Sequence, residues 1–310
     1  MGSFLLRRFI SMIITLWLIV TATFFLMHMV PGSPFQRDGQ ETNEIVLQNM
    51  MAHYNLDKPL GVQYVLYLKS LVMLDLGPSI KHYPDTVNNM IERGFPVSFQ
   101  LGMFALGFAI ISGVALGTVA ALRHNKLIDY MAMVFAVIGI AVPNFIVATL
   151  LIKYVAVEWK LLPVASWGTW KHMVLPALAL ATGPLALIAR MTRANMIEVL
   201  NQDYIETARA KGLSPAVIIF KHALRNAVLP VVTLLGALLA NVLTGSFVIE
   251  KIFAIPGMGK YFVDGINNRD YAVIMGTTVF YSALLVFLMF LVDVVYGIID
   301  PRIKLHRKEG

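Results

Sequence analysis

Few residues in this chain have the types and spacing that enzymatic chemistry requires. Residues 254–262, AIPGMGKYF, match a phosphate-binding loop only in part, because Ala254 replaces the first glycine and Tyr261 replaces the Ser or Thr. The seven histidines form no HExxH pattern, and no G-x-S-x-G sequence marks a serine nucleophile. The chain has no cysteine, which excludes a thiolate metal site and a cysteine nucleophile. We therefore expect a protein without catalytic residues, bound metal or cofactor of its own.

One polar segment is conspicuous, residues 203–214 with the sequence DYIETARAKGLS. Asp203 and Glu206 place negative charge in the first turns of a helix, where the helix dipole favours it. Arg209 lies at the opposite end, and Gly212 can adopt the left-handed conformation that ends a helix. The pattern predicts a short helix with its own start and stop signals.

This helix has two interpretations. Asn201 is a suitable N-cap, and Lys211 adds positive charge to the last turn. Tyr204 and Ala208 share a face at i,i+4 spacing, with Ile205 beside them, so another protein could approach this face closely. A solvated connecting helix explains the same pattern. The length of the polar segment favours a docking element, because a plain connection between two helices needs fewer residues.

The elements around this segment are those of an integral membrane protein. Of the 310 residues, 58% are hydrophobic and 14% charged, and mean hydropathy is +0.71. A membrane helix needs about 20 mostly apolar residues. Six stretches qualify, the fourth being short and interrupted by Pro176 and Pro184. They are residues 9–30, 97–122, 130–152, 174–189, 228–249 and 273–299. We expect the first to be an uncleaved anchor.

Lys and Arg residues predict the orientation of these spans. Fourteen of the 25 fall in residues 1–8, 123–129, 190–227 and 300–310. The positive-inside rule therefore places both termini in the cytoplasm. It also explains the net charge of +7 without nucleic-acid binding. The predicted organisation is residues 1–30 with the first span, an extracytoplasmic region 31–95, a core 96–300 that includes the cytoplasmic segment 190–227, and a cytoplasmic tail 301–310.

The extracytoplasmic region contains one further helical pattern. In residues 60–74, LGVQYVLYLKSLVML, apolar residues recur at helical spacing between polar ones. We expect a helix packed against the outer face of the protein. In the last span, Asp293 is the acidic residue best placed for pairing between helices near the cytoplasmic face, with a proton relay as the alternative. In the second span, the spacing Gly113-x-x-x-Gly117 predicts close packing of helices.

Several motifs together resemble one family. YIETARAKGLS followed by HALRNAVLP is similar to the EAA loop of permease subunits in bacterial ABC importers. MVPGSPF, YNLDKPLGVQYVLYL, DLGPS, GFPVSFQLG, GSFVIEKIFAIPGMGKYF and VVYGIIDPRIK resemble, in the same order, the B-type permeases of dipeptide, oligopeptide and nickel importers. The likeness covers most of the chain and is greatest for the oligopeptide branch.

The resemblance implies a fold, partners and a location. It implies an all-α protein with six transmembrane helices, the type I ABC importer permease fold, in the bacterial cytoplasmic membrane. The implied partners are a second homologous permease, two cytoplasmic ATPases that bind ATP and Mg²⁺, and an extracytoplasmic substrate-binding protein. The implied substrate is a peptide.

The resemblance also implies roles for individual residues. Glu206, Ala208 and Gly212 match the motif's Glu, second Ala and Gly, whereas Thr207 replaces its first Ala. The implied ATPase-coupling residues are Tyr204, Glu206, Ala208, Arg209, Lys211 and Gly212. The expected residues of the translocation path or gate are Pro143, Asn144, Asn241, Ser246, Phe253, Pro256 and Gly257. Hydrogen bonding between helices explains the polar members of the second set equally well.

Two rival functions belong to other classes. An ion-coupled secondary transporter would show paired intramembrane charges and inverted repeats, and a membrane-embedded hydrolase would show a nucleophile and base within its spans. Neither pattern is evident. Within the importer family, permeases for dipeptides or nickel remain alternatives to an oligopeptide permease.

Overall fold

The structure, a computed structural model, describes residues 2–29, 35 and 44–299. All regular elements in these residues are helical, apart from a single β-bridge between Pro78 and Thr86. The tail 301–310 and the side chain of Asp293 lie outside the described parts, so the expectations for them stay predictions.

Thirteen α-helices follow one another in the described ranges. They are α1 (Gly2–Met29), α2 (Glu44–His53), α3 (Leu60–Val72), α4 (Val87–Leu122), α5 (Leu127–Ala141), α6 (Asn144–Leu151), α7 (Trp170–Leu200), α8 (Asp203–Ala210), α9 (Pro215–Val217), α10 (Arg225–Ala227), α11 (Leu229–Ile252), α12 (Met258–Asn268) and α13 (Tyr271–Ile299). Two π-helical stretches, Ile152–Glu158 and Ile218–Leu224, follow α6 and α9.

Five of the described helices are long and apolar enough to cross a membrane, namely α1, α4, α7, α11 and α13. A sixth candidate is the pair Leu127–Ala141 and Asn144–Glu158, which bends by 104° at the intervening break. Pro143 lies at this break, directly before α6, where it lacks the backbone amide that would continue the hydrogen bonding of α5. The six predicted spans are therefore found, the third as a broken span.

The fourth span differs most from its prediction. The span is present, but its predicted limits, residues 174–189, are wrong, because α7 runs without interruption for 31 residues. Pro176 and Pro184 lie inside it, and both are buried. Proline removes a backbone hydrogen bond, but packing on neighbouring helices can hold such a span in one helix. α4 also begins earlier than predicted, at Val87, with Pro96 in its interior.

The chain forms two compact units. The first comprises Met1–Val97 and Gly257–Phe287, and the second comprises Ser98–Pro256 and Leu288–Gly310. The predicted division of the chain concerns the two sides of the membrane, and it stays a prediction.

In the first unit, α3 packs against α1. The hydroxyls of Thr21 and Tyr64 are 2.6 Å apart, and Nε2 of His28 lies 3.0 Å from Oε1 of Gln63. The buried ring of Phe24 contacts Tyr64 at a centroid distance of 5.3 Å. The helix predicted in residues 60–74 is thus confirmed, while its place at the outer membrane face stays a prediction.

The start of α13 is held by a buried carboxylate. Asp270 accepts hydrogen bonds from the Ser79 hydroxyl at 2.5 Å and from the Lys81 amide at 3.0 Å. Its other oxygen accepts from the amide of Val273 at 3.3 Å, as an N-cap side chain does. Burial and the charge of Asp270 raise the pKa of the Tyr54 phenol. The hydroxyl of Tyr54 donates to the Ser79 carbonyl at 3.1 Å.

In the second unit, two glycines let α4 and α7 approach closely. A Cβ atom at Gly113 would lie 2.9 Å from Cβ of Ile188, and one at Gly117 would lie 2.7 Å from Cβ of Thr192 and against the carbonyl oxygen of Ala189. The close-packing role predicted from the Gly113-x-x-x-Gly117 spacing is confirmed.

Candidate functional site

The polar segment forms the helix α8, as predicted, but it starts differently. Asn201 follows directly on α7, and its side chain donates a hydrogen bond to the carbonyl of Ile197 at 3.0 Å. The residue before α8 is Gln202, which makes no capping hydrogen bond through its side chain. The prediction of Asn201 as N-cap is wrong because α7 extends eleven residues beyond the predicted end of its span.

The end of α8 agrees with the prediction. Gly212 has a φ of +74°, in the left-handed region. Its amide donates to the carbonyl of Arg209 at 2.9 Å, and the amide of Leu213 reaches back to Ala208 at 3.3 Å. This pair of bonds is the Schellman arrangement. Lys211 is the residue at which the helix ends rather than a member of its last turn.

One face of α8 is buried against its own chain. Ile205 is fully buried and Ala208 is 6% exposed. They belong to a cluster with Ala121 of α4, Met196 of α7, and Ile218, Ala223 and Ala227 from the segment after α8. The predicted outward face through Tyr204 and Ala208 is therefore wrong for Ala208, whose small side chain lets α8 approach this cluster. The sequence pattern of an eight-residue helix does not show whether its apolar face packs against the same chain or against a partner protein.

The other face of α8 is exposed and charged. Asp203 and Glu206 mark its start, and Arg209 and Lys211 mark its end. Tyr204 is 42% exposed, and its hydroxyl accepts a hydrogen bond from Asn226 at 2.9 Å. The exposed face thus has acidic residues at its start, basic residues at its end and one aromatic side chain held by a hydrogen bond. The opposite face of the helix packs against the permease.

Two polar contacts of α7 near α8 were not predicted from the sequence. Asn195 of α7 donates to the carbonyl of Ala227 at 3.1 Å. Arg193, two residues earlier on α7, forms an ion pair with Asp129 at the start of α5 and contacts it through two nitrogens. Arg193 and Asp129 are 64 residues apart, so no local pattern could indicate the contact.

The residues predicted for the translocation path lie in different surroundings. Pro143 is exposed at the break of the third span, and Asn144 begins α6 half-buried. Asn241 is exposed on α11, whereas Ser246 is fully buried. The hydroxyl oxygen of Ser246 lies 2.6 Å from Oε1 of the buried Glu250 and 2.8 Å from the carbonyl of Leu243. Ser246 therefore makes contacts within one helix.

The last three predicted residues follow α11. Phe253 is buried, and its carbonyl accepts a hydrogen bond from the amide of Ser166 at 2.9 Å. Pro256 is exposed, and Gly257 is the residue before α12. No role in a path has been tested for any of the seven residues, and their assignment stays a prediction.

Comparison with known families decides the class of the protein. The family described as "Binding-protein-dependent transport system inner membrane component" matches residues 113–305. The corresponding N-terminal family matches residues 1–96. The chain is a binding-protein-dependent transport permease. The family membership predicted from the motifs is thus confirmed.

Its relatives place the permease within the dipeptide and oligopeptide branch of ABC importers. It is 61% identical to the dipeptide transport system permease protein DppB of Bacillus subtilis, over 99% of this chain and 100% of that one. It is 44% identical to the oligopeptide transport system permease protein OppB of Haemophilus influenzae, over 98% and 100%. The predicted preference for the oligopeptide branch is not confirmed.

Solved structures agree on the fold. A structure of the MetNI methionine ABC transporter in inward-facing conformations has a TM-score of 0.58 at 17% identity, covering 68% of the permease and 96% of that chain. An amino acid ABC transporter structure has a TM-score of 0.53 at 16% identity, covering 68% and 94%. The permease therefore has the all-α type I ABC importer permease fold that was predicted.

Proposed function

We propose that the permease forms half of the translocation pathway of an ATP-driven peptide importer and couples to an ATPase through α8. The observation that carries the proposal is the construction of α8. Its apolar side chains are buried in the permease, while its charges and Tyr204 face outward. A connecting helix needs no such fixed surface. An ATPase that docks on this face would meet a rigid element and could displace the helices beneath it.

The same proposal assigns the remaining parts of the importer. A second homologous permease completes the pathway, and an extracytoplasmic binding protein delivers the substrate. Two cytoplasmic ATPase subunits bind ATP and Mg²⁺, and this chain contributes no catalytic residue. Both termini and α8 lie in the cytoplasm. Support comes from the family of the chain and from the distribution of its Lys and Arg residues.

Short peptides are the proposed substrates. The 61% identity to a protein named as a dipeptide permease favours dipeptides. Identities of 44% to proteins named as oligopeptide permeases, over 98% of this chain, keep oligopeptides as the second candidate. In an importer with a separate binding protein, the permease need not select the cargo by itself.

Capture of the native complex tests the assembly. The permease is isolated by an affinity tag after gentle solubilisation of its native membranes, and the proteins that accompany it are identified. We expect two cytoplasmic ATPases and a second permease. Isolation of a folded permease alone, active in transport without ATP, would refute the proposal and favour a secondary transporter.

Transport by the captured complex tests the substrate. Proteoliposomes containing the complex and its binding protein receive labelled dialanine or labelled pentaalanine, with and without ATP. ATP-dependent uptake of dialanine alone would establish the dipeptide assignment, and uptake of pentaalanine would establish oligopeptides. Failure to import either peptide, by a complex that hydrolyses ATP, would contradict the peptide assignment.

A further inference from the structure

We propose that Asp129 and Arg193 form a positioning pair for transport. The pair fixes α5 to α7, so that a displacement of α8 reaches the break in the third span. This inference rests on the proposed function, because it takes α8 as the helix on which an ATPase docks.

The pair has a geometry that fixes direction as well as distance. Nε and Nη2 of Arg193 contact the two carboxylate oxygens of Asp129, the second at 2.7 Å. The amide of Asn125 donates to the same carboxylate at 3.0 Å. Asp129 is buried, whereas the Arg193 side chain is partly exposed. A planar guanidinium that meets a carboxylate through two parallel bonds resists rotation and sliding.

The position of Arg193 on α7 links this pair to the docking helix. Met196 follows one turn later and is fully buried in the cluster beneath α8. The preceding Thr192 lies against Gly117 of α4. Neighbouring residues of α7 therefore contact the cluster beneath α8, the start of α5 and the end of α4. A force on α8 would therefore be transmitted to α7, α5 and α4 together.

The opposite end of α5 also lies against α7. A Cβ atom at Gly139 would lie 3.2 Å from the carbonyl oxygen of Thr182, so the two backbones are in close contact there. Two residues after α5 ends, Pro143 breaks the span, and α6 packs on α7 beyond the break. With both ends of α5 attached to α7, a motion of α7 carries Pro143 and Asn144 with it.

Because Asp129 is buried and Arg193 is only partly exposed, we expect this ion pair to contribute to orientation more than to stability. Replacing both partners by apolar residues is often neutral for folding, whereas removing one partner leaves an uncompensated buried charge. This difference separates positioning from folding. An apolar pair at these positions would preserve the packing of α5 on α7 without the directional bonds.

The test compares variants of the captured complex in proteoliposomes. The double variant Asp129→Leu with Arg193→Met removes the ion pair but keeps apolar bulk. Arg193→Lys keeps the charge but not the paired bonds. Arg190→Met is the matched control, because it removes an exposed arginine one turn away on the same helix. Each complex is assayed for recovered ATPase, ATP hydrolysis and import of labelled dialanine or pentaalanine, whichever the wild-type complex imports.

We expect the double variant and Arg193→Lys to recover ATPase at the wild-type level and to import less peptide per ATP hydrolysed. Arg190→Met should keep the wild-type ratio. A wild-type ratio in the double variant or in Arg193→Lys would overturn the positioning role. A wild-type permease that recovers no ATPase would instead refute the proposed function, and this inference with it.

A distance measurement keeps the inference testable if transport is lost for other reasons. The chain has no cysteine, so spin labels can be attached at Met131→Cys on α5 and Glu198→Cys on α7, both exposed. We expect one distance in the wild-type background, with and without ATP and vanadate. The apolar double variant should show a second distance in the trapped state. The same single distance in both backgrounds would contradict the proposal.

Discussion

At the scale of single residues, the end of α8 depends on the backbone of Gly212. Its φ of +74° is reached by glycine without strain, whereas another residue incurs about 1–2 kcal/mol, and Asn or Asp less than most. A Cβ atom at this position would meet nothing within 4 Å. Substitutions here therefore test conformation and charge rather than packing.

Gly212→Asp should weaken ATPase docking and transport while membrane insertion stays intact. A negative charge next to Lys211 opposes the helix dipole, at about 0.3–1 kcal/mol, and reduces the positive charge of this end of α8. The control is Gly212→Asn, which has nearly the same shape and backbone tolerance but no charge. ATPase recovered per permease is the measurement. Equal recovery for the two variants, at the wild-type level, would refute a role of this end of α8 in docking.

At the scale of elements, the packing of α8 against the rest of the permease requires a small residue at position 208, which is Ala208. Ala208→Leu would overpack the cluster around Met196 and should destabilise the second unit by about 1–3 kcal/mol. Ala210→Leu is the control, because Ala210 is exposed on the same helix and Leu is a good helix former. Thermal unfolding in detergent and ATPase recovery are both measured. If the two variants behave alike, the buried face of α8 is assigned incorrectly.

The contact between α4 and α7 offers a second comparison within one helix. Gly117→Ala would place a methyl group against the carbonyl of Ala189 and close to Thr192, with an expected destabilisation of about 1–3 kcal/mol. Gly107→Ala on the same helix meets nothing within 4 Å and should leave stability unchanged or raise it by up to about 1 kcal/mol. The two thermal unfolding temperatures check this. A loss at Gly107 equal to that at Gly117 would argue against close packing.

The elements also show how far the sequence could predict the fold. Apolar length identified six spans, and the Gly113 and Gly117 spacing identified a contact, because both signals are local. The continuous α7 was missed because Pro176 and Pro184 break helices in water, and only burial on neighbouring helices holds them within one. The inward direction of Ala208 depends on residues from three other segments of the chain. No local pattern contains that information.

At the scale of the whole molecule, the proposed function requires α8 to lie in the cytoplasm. Fourteen of 25 basic residues lie in the segments assigned to that side, which is the basis of the orientation. The absence of cysteine makes the orientation directly measurable, since any single introduced thiol is the only site of labelling. Two exposed positions on opposite sides of the predicted membrane are suitable, Tyr83 and Thr207.

A membrane-impermeant maleimide should label Tyr83→Cys in intact cells after any outer layer has been opened. It should label Thr207→Cys only after the cytoplasmic membrane is permeabilised. Tyr83 is 73% exposed and precedes α4, whereas Thr207 is on the exposed face of α8. Because an ATPase docked on α8 would cover Thr207, the permease is produced without its ATPase subunits, so that both thiols are accessible to the reagent. Labelling of both variants after permeabilisation controls for reactivity. Labelling of Thr207→Cys in intact cells would place α8 outside the cell, where no ATPase could dock on it, and would refute the proposed coupling.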